Sequence, residues 1–256
     1  MRKNNVYIAG RLLFQLLLLL FVSTSVLAKA PKKVLVFSKT AKFRHTDGIK
    51  AGKLALLQMG RENNFTVDTT EDASVFTDAN LKQYAAVVFL STTGDILDDK
   101  QQEAFQKYIR SGKGFVGIHS ATDTEYDWPW YGELVGAYFG SHPPGQQEAV
   151  FNIVDANNIS TRHLPAAWKR TDELYNFKWI AENLQVLIKI DENSYTGGKN
   201  GANHPMSWYR MYDGGRTFYT ALGHDAKSFA DPLYLKHVLG GIQFALGMKP
   251  GAKLKA

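Results

Sequence analysis

The order of residues predicts an α/β protein with a mostly parallel central sheet and an antiparallel extension in its C-terminal half. Three observations carry this. Short apolar, β-branched runs alternate with helical patterns through the first half. One run, Tyr84 to Leu90, is apolar throughout, as a strand covered on both faces must be. In the second half, apolar runs follow one another without helices between them, and Asp213-Gly214-Gly215 separates two of them as a hairpin turn would.

The elements follow in order. Lys33 to Phe37 is a first strand, and Ala41 to Gly48 is a polar loop. Ala51, Leu54, Leu57 and Gln58 recur at helical spacing, so a helix is predicted from Ile49 to Asn63. Phe65 to Thr69 alternates as a second strand, and Tyr84 to Leu90 is a third. Asp98 caps a helix that runs to Arg110 and closes at Ser111-Gly112. Phe115 to Ile118 is a fourth strand. Strand and helix in repeated order imply right-handed crossovers and parallel pairing. Beyond an aromatic stretch from Tyr126 to Phe139, strands are expected at Ala149 to Val154, Leu184 to Ile190, Met206 to Tyr212 and Thr217 to Leu222. A last helix, Pro232 to Leu246, aligns Leu235, Leu239, Ile242 and Leu246.

The N-terminus reads as a targeting segment. Arg2, Lys3 and Arg11 flank an apolar run from Leu12 to Val22, broken only by Gln15. Small residues then lead to Ala28, the expected cleavage point of a signal peptide over residues 1–28. The run is shorter than the roughly 20 residues of a membrane span, so no stable membrane insertion is expected after cleavage. The protein is therefore expected to be periplasmic or secreted. Loss of Arg2, Lys3 and Arg11, with no acidic residue, takes the formal charge from +6 to +3. The remaining Lys and Arg are scattered, and the tail Lys249 to Lys255 reads as a solvated end. This argues against a nucleic-acid partner. Residues 29–256 suffice for one well-buried domain. The chain has no cysteine, which excludes disulfides, a lipid anchor on cysteine, a thiolate nucleophile and cysteine-held metal.

In an open parallel sheet, ligands bind beyond the carboxyl ends of the strands. Three predicted strand exits carry reactive residue types: Phe43-Arg44-His45-Thr46-Asp47, Ser91-Thr92-Thr93-Gly94-Asp95 and His119-Ser120-Ala121-Thr122-Asp123. His119 stands where a nucleophile elbow lifts a side chain into the crevice, but it is neither Ser nor Cys. His45, His119, His142, His204 and His224 all fall at element ends, whereas His163 and His237 read as structural or solvated. Histidine serves as base, acid or metal ligand near neutral pH. No pair has His-x-x-x-His spacing, so a divalent metal, with His119, His142, His204 and His224 as candidates, rests on clustering alone. No cofactor is otherwise predicted.

Trp128, Trp130 and Tyr131 suggest stacking against a sugar, with burial in the core as the alternative. Asp123, Asp127 and Glu173 are candidates for paired carboxylates. Gly-x-Gly-x-x-Gly after the first strand, a phosphate loop and Gly-x-Ser-x-Gly are absent, so neither nucleotide use nor serine acyl transfer is indicated.

Several stretches together resemble the ThuA-like (trehalose utilisation) family: Phe43-Arg44-His45, Gly114 to Thr124, Trp128 to Gly136, Phe139 with His142-Pro143, Asp172-Glu173-Leu174-Tyr175, His204 to Trp208, and Phe218 to His224. The resemblance covers about Val34 to Leu246. It implies the flavodoxin-like three-layer sandwich of class I glutamine amidotransferases. His119 stands where their cysteine would be, so glutaminase activity is not expected. It also implies a role in the use of trehalose or other disaccharides through 3-keto-sugar intermediates.

The expectation is an enzyme acting on a disaccharide or 3-keto-sugar derivative by isomerisation, elimination or hydrolysis. His45 and His119 would be acid and base, with Asp123 and Glu173 orienting them. Arg44, Trp128, Tyr131, His142, Tyr175, His204, Trp208 and His224 would bind the small-molecule sugar. A metal-dependent hydrolase and a non-catalytic sugar-binding protein are the rival expectations.

Overall fold

A computed structural model describes residues 30–249 of the chain. The targeting segment and the tail beyond Lys249 lie outside the described residues. The described residues from Pro31 onward form one compact unit.

Its strands are β1 (Lys32–Phe37), β2 (Phe65–Thr70), β3 (Ala86–Leu90), β4 (Gly114–Ile118), β5 (Ala137–Ser141), β6 (Gln147–Ile153), β7 (Ala167–Asp172), β8 (Asn176–Ile180), β9 (Gln185–Ile190), β10 (Pro205–Tyr212) and β11 (Gly215–Thr220). Its helices are α1 (Thr46–Glu62), α2 (Asp78–Leu81), α3 (Asp99–Arg110), α4 (Pro129–Val135) and α5 (Pro232–Ala245). Nine strands form one sheet in the order β2-β1-β3-β4-β11-β10-β9-β6-β7, and β5 pairs with β8 apart from it. From β2 to β11 every pairing is parallel; from β11 to β7 every pairing is antiparallel. The expected α/β architecture, with its antiparallel extension, is the one observed.

The parallel half forms because β3 and β4 are buried along their whole length between helical layers. Phe37, Phe76, Phe89, Phe105 and Phe115 pack there ring against ring. Asp98 caps α3 as expected: its side chain accepts from Gln101 N, and the Gln101 side chain accepts from Asp98 N. The hairpin β10–β11 turns on Asp213 and Gly214 at φ 46° and 86°, the pair of positive angles that a two-residue turn needs.

The structure differs from expectation in its helices as follows, and it adds strands β5, β7 and β8. Helix α1 begins at Thr46, so His45 sits at its N-cap rather than in an open loop. It buries Gly48, Ile49, Gly52, Leu56, Met59 and Gly60, leaving Leu54 exposed, because its small residues let the backbone approach the sheet. Helix α5 buries Tyr234 and Val238 along with Ile242 and Leu246 of the expected stripe, while Leu235 and Leu239 are only partly buried. The aromatic stretch is helix α4 followed by β5, started by Pro129 and ended by Gly136 at φ 93°. Among the described residues no helix is long and apolar enough to cross a membrane.

Candidate functional site

His119 is the first residue after β4 and holds a left-handed backbone angle, φ 52°, which an L side chain rarely adopts. That turn lifts a completely buried imidazole out of the strand line. Its Nδ1 lies 2.8 Å from the carbonyl oxygen of Ala221. A carbonyl only accepts, so Nδ1 carries a proton, and the other ring nitrogen, Nε2, faces inward.

Three other chain segments converge on that nitrogen. His45 Nε2, from the start of α1, stands 3.1 Å away. His224 Nδ1, from the loop after β11, stands at 3.2 Å. Glu173 Oε2, just past β7, stands at 3.3 Å, and Tyr175 Oη at 3.2 Å. Glu173 Oε2 is also 3.2 Å from His224 Nδ1 and 3.7 Å from His45 Nε2. The group opens outward through His142, whose Nε2 lies 3.4 Å from Glu173 Oε1. His142 Nδ1 donates to the Pro143 carbonyl at 2.8 Å, which leaves Nε2 to face Glu173. Phe43, 67 % exposed, sets its ring edge-on against His45 at 4.8 Å.

The electrostatics follow from burial and crowding. Burial lowers His45 to about 4; His119 and His224 add to the effect and Glu173 opposes it. Burial disfavours the Glu173 carboxylate, but His119, His224 and His45 outweigh that and hold it well below the usual range. Burial also works against protonated His224, yet Glu173 raises it. Burial, then the Glu173 charge, keeps the Tyr175 phenol protonated far above 10.

His45, His119, Glu173 and His224 place one ligand atom each within 4.8 Å of one another and could hold a metal ion. Donors arranged tetrahedrally at about 2.0–2.1 Å from an ion lie about 3.3 Å apart. The five separations above run from 3.1 to 3.7 Å. Three imidazoles and a carboxylate suit a first-row divalent ion such as zinc, manganese, iron or cobalt.

Other expected site residues lie elsewhere. Arg44 makes a two-pronged pair with Glu71 at 2.8 and 3.0 Å on the surface, so its charge is already engaged. Asp123 accepts from Tyr126 Oη at 2.7 Å and orients neither histidine. The Ala221 carbonyl orients His119 instead, and Ser120 Oγ, 3.3 Å from His45 Nδ1, orients His45. Trp128, Tyr131 and Trp208 belong to the core rather than to a pocket wall. Trp128 stacks on Trp130, Tyr131 donates to the Ala121 carbonyl, and Trp208 donates to the Val135 carbonyl while packing on Tyr219. His204 is fully buried, with Nε2 donating to the Tyr175 carbonyl and Nδ1 against Glu192, so neither nitrogen is free for a metal. His237 lies in the core between Ser160 and Ser207.

Sequence reasoning passed over Phe43, Ser120 and Asp172. Each is adjacent in sequence, or two residues away, to a histidine or glutamate that it did select, and that adjacency was the available signal.

Among curated proteins none matches the chain. Among solved structures, it is similar to a ThuA-like protein from Bacteroides uniformis ATCC 8492, with TM-score 0.73, 21 % identity, and 85 % of this chain and 93 % of the other covered. It is also similar to one from Parabacteroides merdae ATCC 43184, with TM-score 0.68, 21 % identity, and 88 % and 93 % covered. A β-galactosidase from Bacillus circulans sp. alkalophilus shares the fold over 32 % of its length, with TM-score 0.53, 14 % identity and 86 % of this chain covered. These neighbours share the class I glutamine amidotransferase-like architecture. The profile of the family described as trehalose utilisation matches residues 33–245 and associates the chain with carbohydrate metabolism. The chain belongs to the ThuA family.

Proposed function

We propose that the chain is a metal-dependent enzyme of carbohydrate metabolism, acting on a keto-sugar or disaccharide derivative bound over His45, His119, Glu173 and His224. The observation that carries this is the spacing of the four donors: five of their six separations lie at 3.1–3.7 Å, near the edge of a tetrahedron around one ion. An ion there would act as a Lewis acid on a carbonyl or hydroxyl oxygen of the sugar. The chain's own groups supply the rest. Tyr175 keeps its proton and offers an O–H donor beside His119. His142, half-exposed at the rim, is placed to pass a proton between substrate and solvent. Phe43 offers an apolar face at the entrance for the C–H side of a pyranose.

The test is metal content and turnover together, using protein purified without a histidine tag and 3-keto-glycosides as substrates. One equivalent of divalent metal, with activity lost to chelator and restored by metal, is the expected result. Turnover indifferent to chelator in metal-free protein would leave acid–base catalysis by the histidines alone. Tight sugar binding without product would make the chain a binding protein. We also propose that the domain is exported, on the charged, apolar and small-residue order of residues 2–28. Intact mass of the exported protein should lack Met1 to Ala28; retention of that segment would contradict export by cleavage.

A further inference from the structure

A buried carboxylate outside the four converging groups holds two of them in place. Asp172, the last residue of β7, is 1 % exposed and receives five donors. Its Oδ1 accepts from the backbone N–H of Glu173 at 2.9 Å and of His224 at 3.2 Å. Its Oδ2 accepts from Gly223 N at 3.0 Å, Arg170 Nη2 at 2.9 Å and Ser228 Oγ at 3.2 Å. Arg170 is itself buried between the rings of Trp168 and Tyr234, 4.7 and 4.9 Å from their centres.

The need for such a tie comes from the topology. In hydrogen-bonded order β7 lies four strands from β11. Strands are about 4.8 Å apart, so a flat sheet would separate Glu173 from the loop after β11 by about 19 Å. The two residues nevertheless meet at 3.2 Å, so the sheet cannot be flat between them. Asp172 bonds the backbone on both sides of that closure.

We propose that Asp172 is a positioning residue that sets the register between Glu173 and His224, and so the geometry of the site. Only an acceptor on both oxygens fits, since all five partners donate. An asparagine would turn its NH2 toward one set of N–H and O–H donors and release that side. The proposal rests on the metal reading for its affinity consequence alone; the placement of His224 is independent of any ion.

The experiment compares wild type with Asp172→Asn and Ser228→Ala in two measurements. The first is the histidine side-chain nitrogen spectrum of ion-free protein. His224 signals should move in both variants while those of His237, buried in the core, stay. The second is Co2+ titration followed by its visible absorption. Affinity should fall ten- to a hundredfold in Asp172→Asn, as for other groups that orient metal ligands. In Ser228→Ala it should fall about threefold to tenfold, the equivalent of one hydrogen bond. Unmoved His224 signals, with Co2+ affinity within twofold of wild type, would overturn the proposal. If Asp172→Asn does not fold, Ser228→Ala decides by the same two criteria. If wild type binds no Co2+, the metal reading fails, and the His224 signals still decide the role of Asp172.

Discussion

His45 Nε2 and His119 Nε2 stand 3.1 Å apart in the protein interior, with His119 Nδ1 donating to the Ala221 carbonyl on the far side of its ring. A neutral imidazole has one donor and one acceptor nitrogen. Three such rings and a carboxylate aimed at one point make a surplus of acceptors, and a shared cation answers that surplus. Single replacements, His45→Ala or His224→Ala, should therefore weaken divalent-metal binding by more than the ten- to hundredfold typical of residues outside the ligand shell. Calorimetric titration of ion-free protein checks this. Unchanged affinity in either variant would remove that residue from the ligand set.

Gly48, in the first turn of α1, lets the helix pass against the loop that carries His224. A Cβ built on it would lie 2.5 Å from the His224 carbonyl oxygen, a backbone atom that cannot swing away. Gly48→Ala should cost about 1–3 kcal/mol by overpacking and weaken metal binding by shifting His224. Thermal denaturation and metal titration measure the two effects. Wild-type stability with wild-type affinity would contradict the close approach.

Acid should destabilise the fold through its buried histidines. Burial lowers His45 to about 4 and His237 to about 3, whereas both protonate near 6.5 when unfolded. Folded values below unfolded ones mean that the unfolded chain takes up protons first as pH falls. The stabilising contribution is complete above pH 6.5 and is lost as pH drops toward 4, at up to about 1.4 kcal/mol per pH unit for each residue. His224 has the opposite sign, being raised, so its contribution is complete below 6.5 and fades as pH rises above it. Denaturant midpoints between pH 6.5 and 4 should fall in wild type and fall less steeply in His237→Phe. A flat wild-type profile would contradict this.

Trp208 separates the core assignment from a pocket assignment. It is 1 % exposed, packs 4.5 Å from Tyr219 and donates to the Val135 carbonyl. Trp208→Ala should cost about 3–5 kcal/mol. The milder Trp208→Phe should lower the melting temperature while leaving KM for the sugar unchanged. A raised KM with unaltered stability would return Trp208 to the binding surface.

In the parallel half, strands β1, β3 and β4 were readable as apolar runs bounded by helical periodicity, β2 by its alternation and β11 by the hairpin turn before it. His45, His119 and His224 were readable as site candidates because each follows a strand of that half. Strand β7 was not readable, because its inward positions are Trp168, Arg170 and Asp172. Arg170 and Asp172 pair with each other inside the fold, so the alternation is present in burial but not in hydrophobicity. The meeting of Glu173 with the histidines depends on how far the sheet departs from flat, a property of the assembled sheet rather than of any local run. Helix α4 was hidden by its aromatic residues, although Pro129 at its start and Gly136 at its end mark it in hindsight.

The most direct test is a crystal of the protein soaked in Zn2+ and measured at the zinc absorption edge. One anomalous peak should appear about 2.0–2.2 Å from His45 Nε2, His119 Nε2, His224 Nδ1 and Glu173 Oε2. No peak there at saturating Zn2+, with the four side chains placed as described, would contradict the metal site and the function built on it.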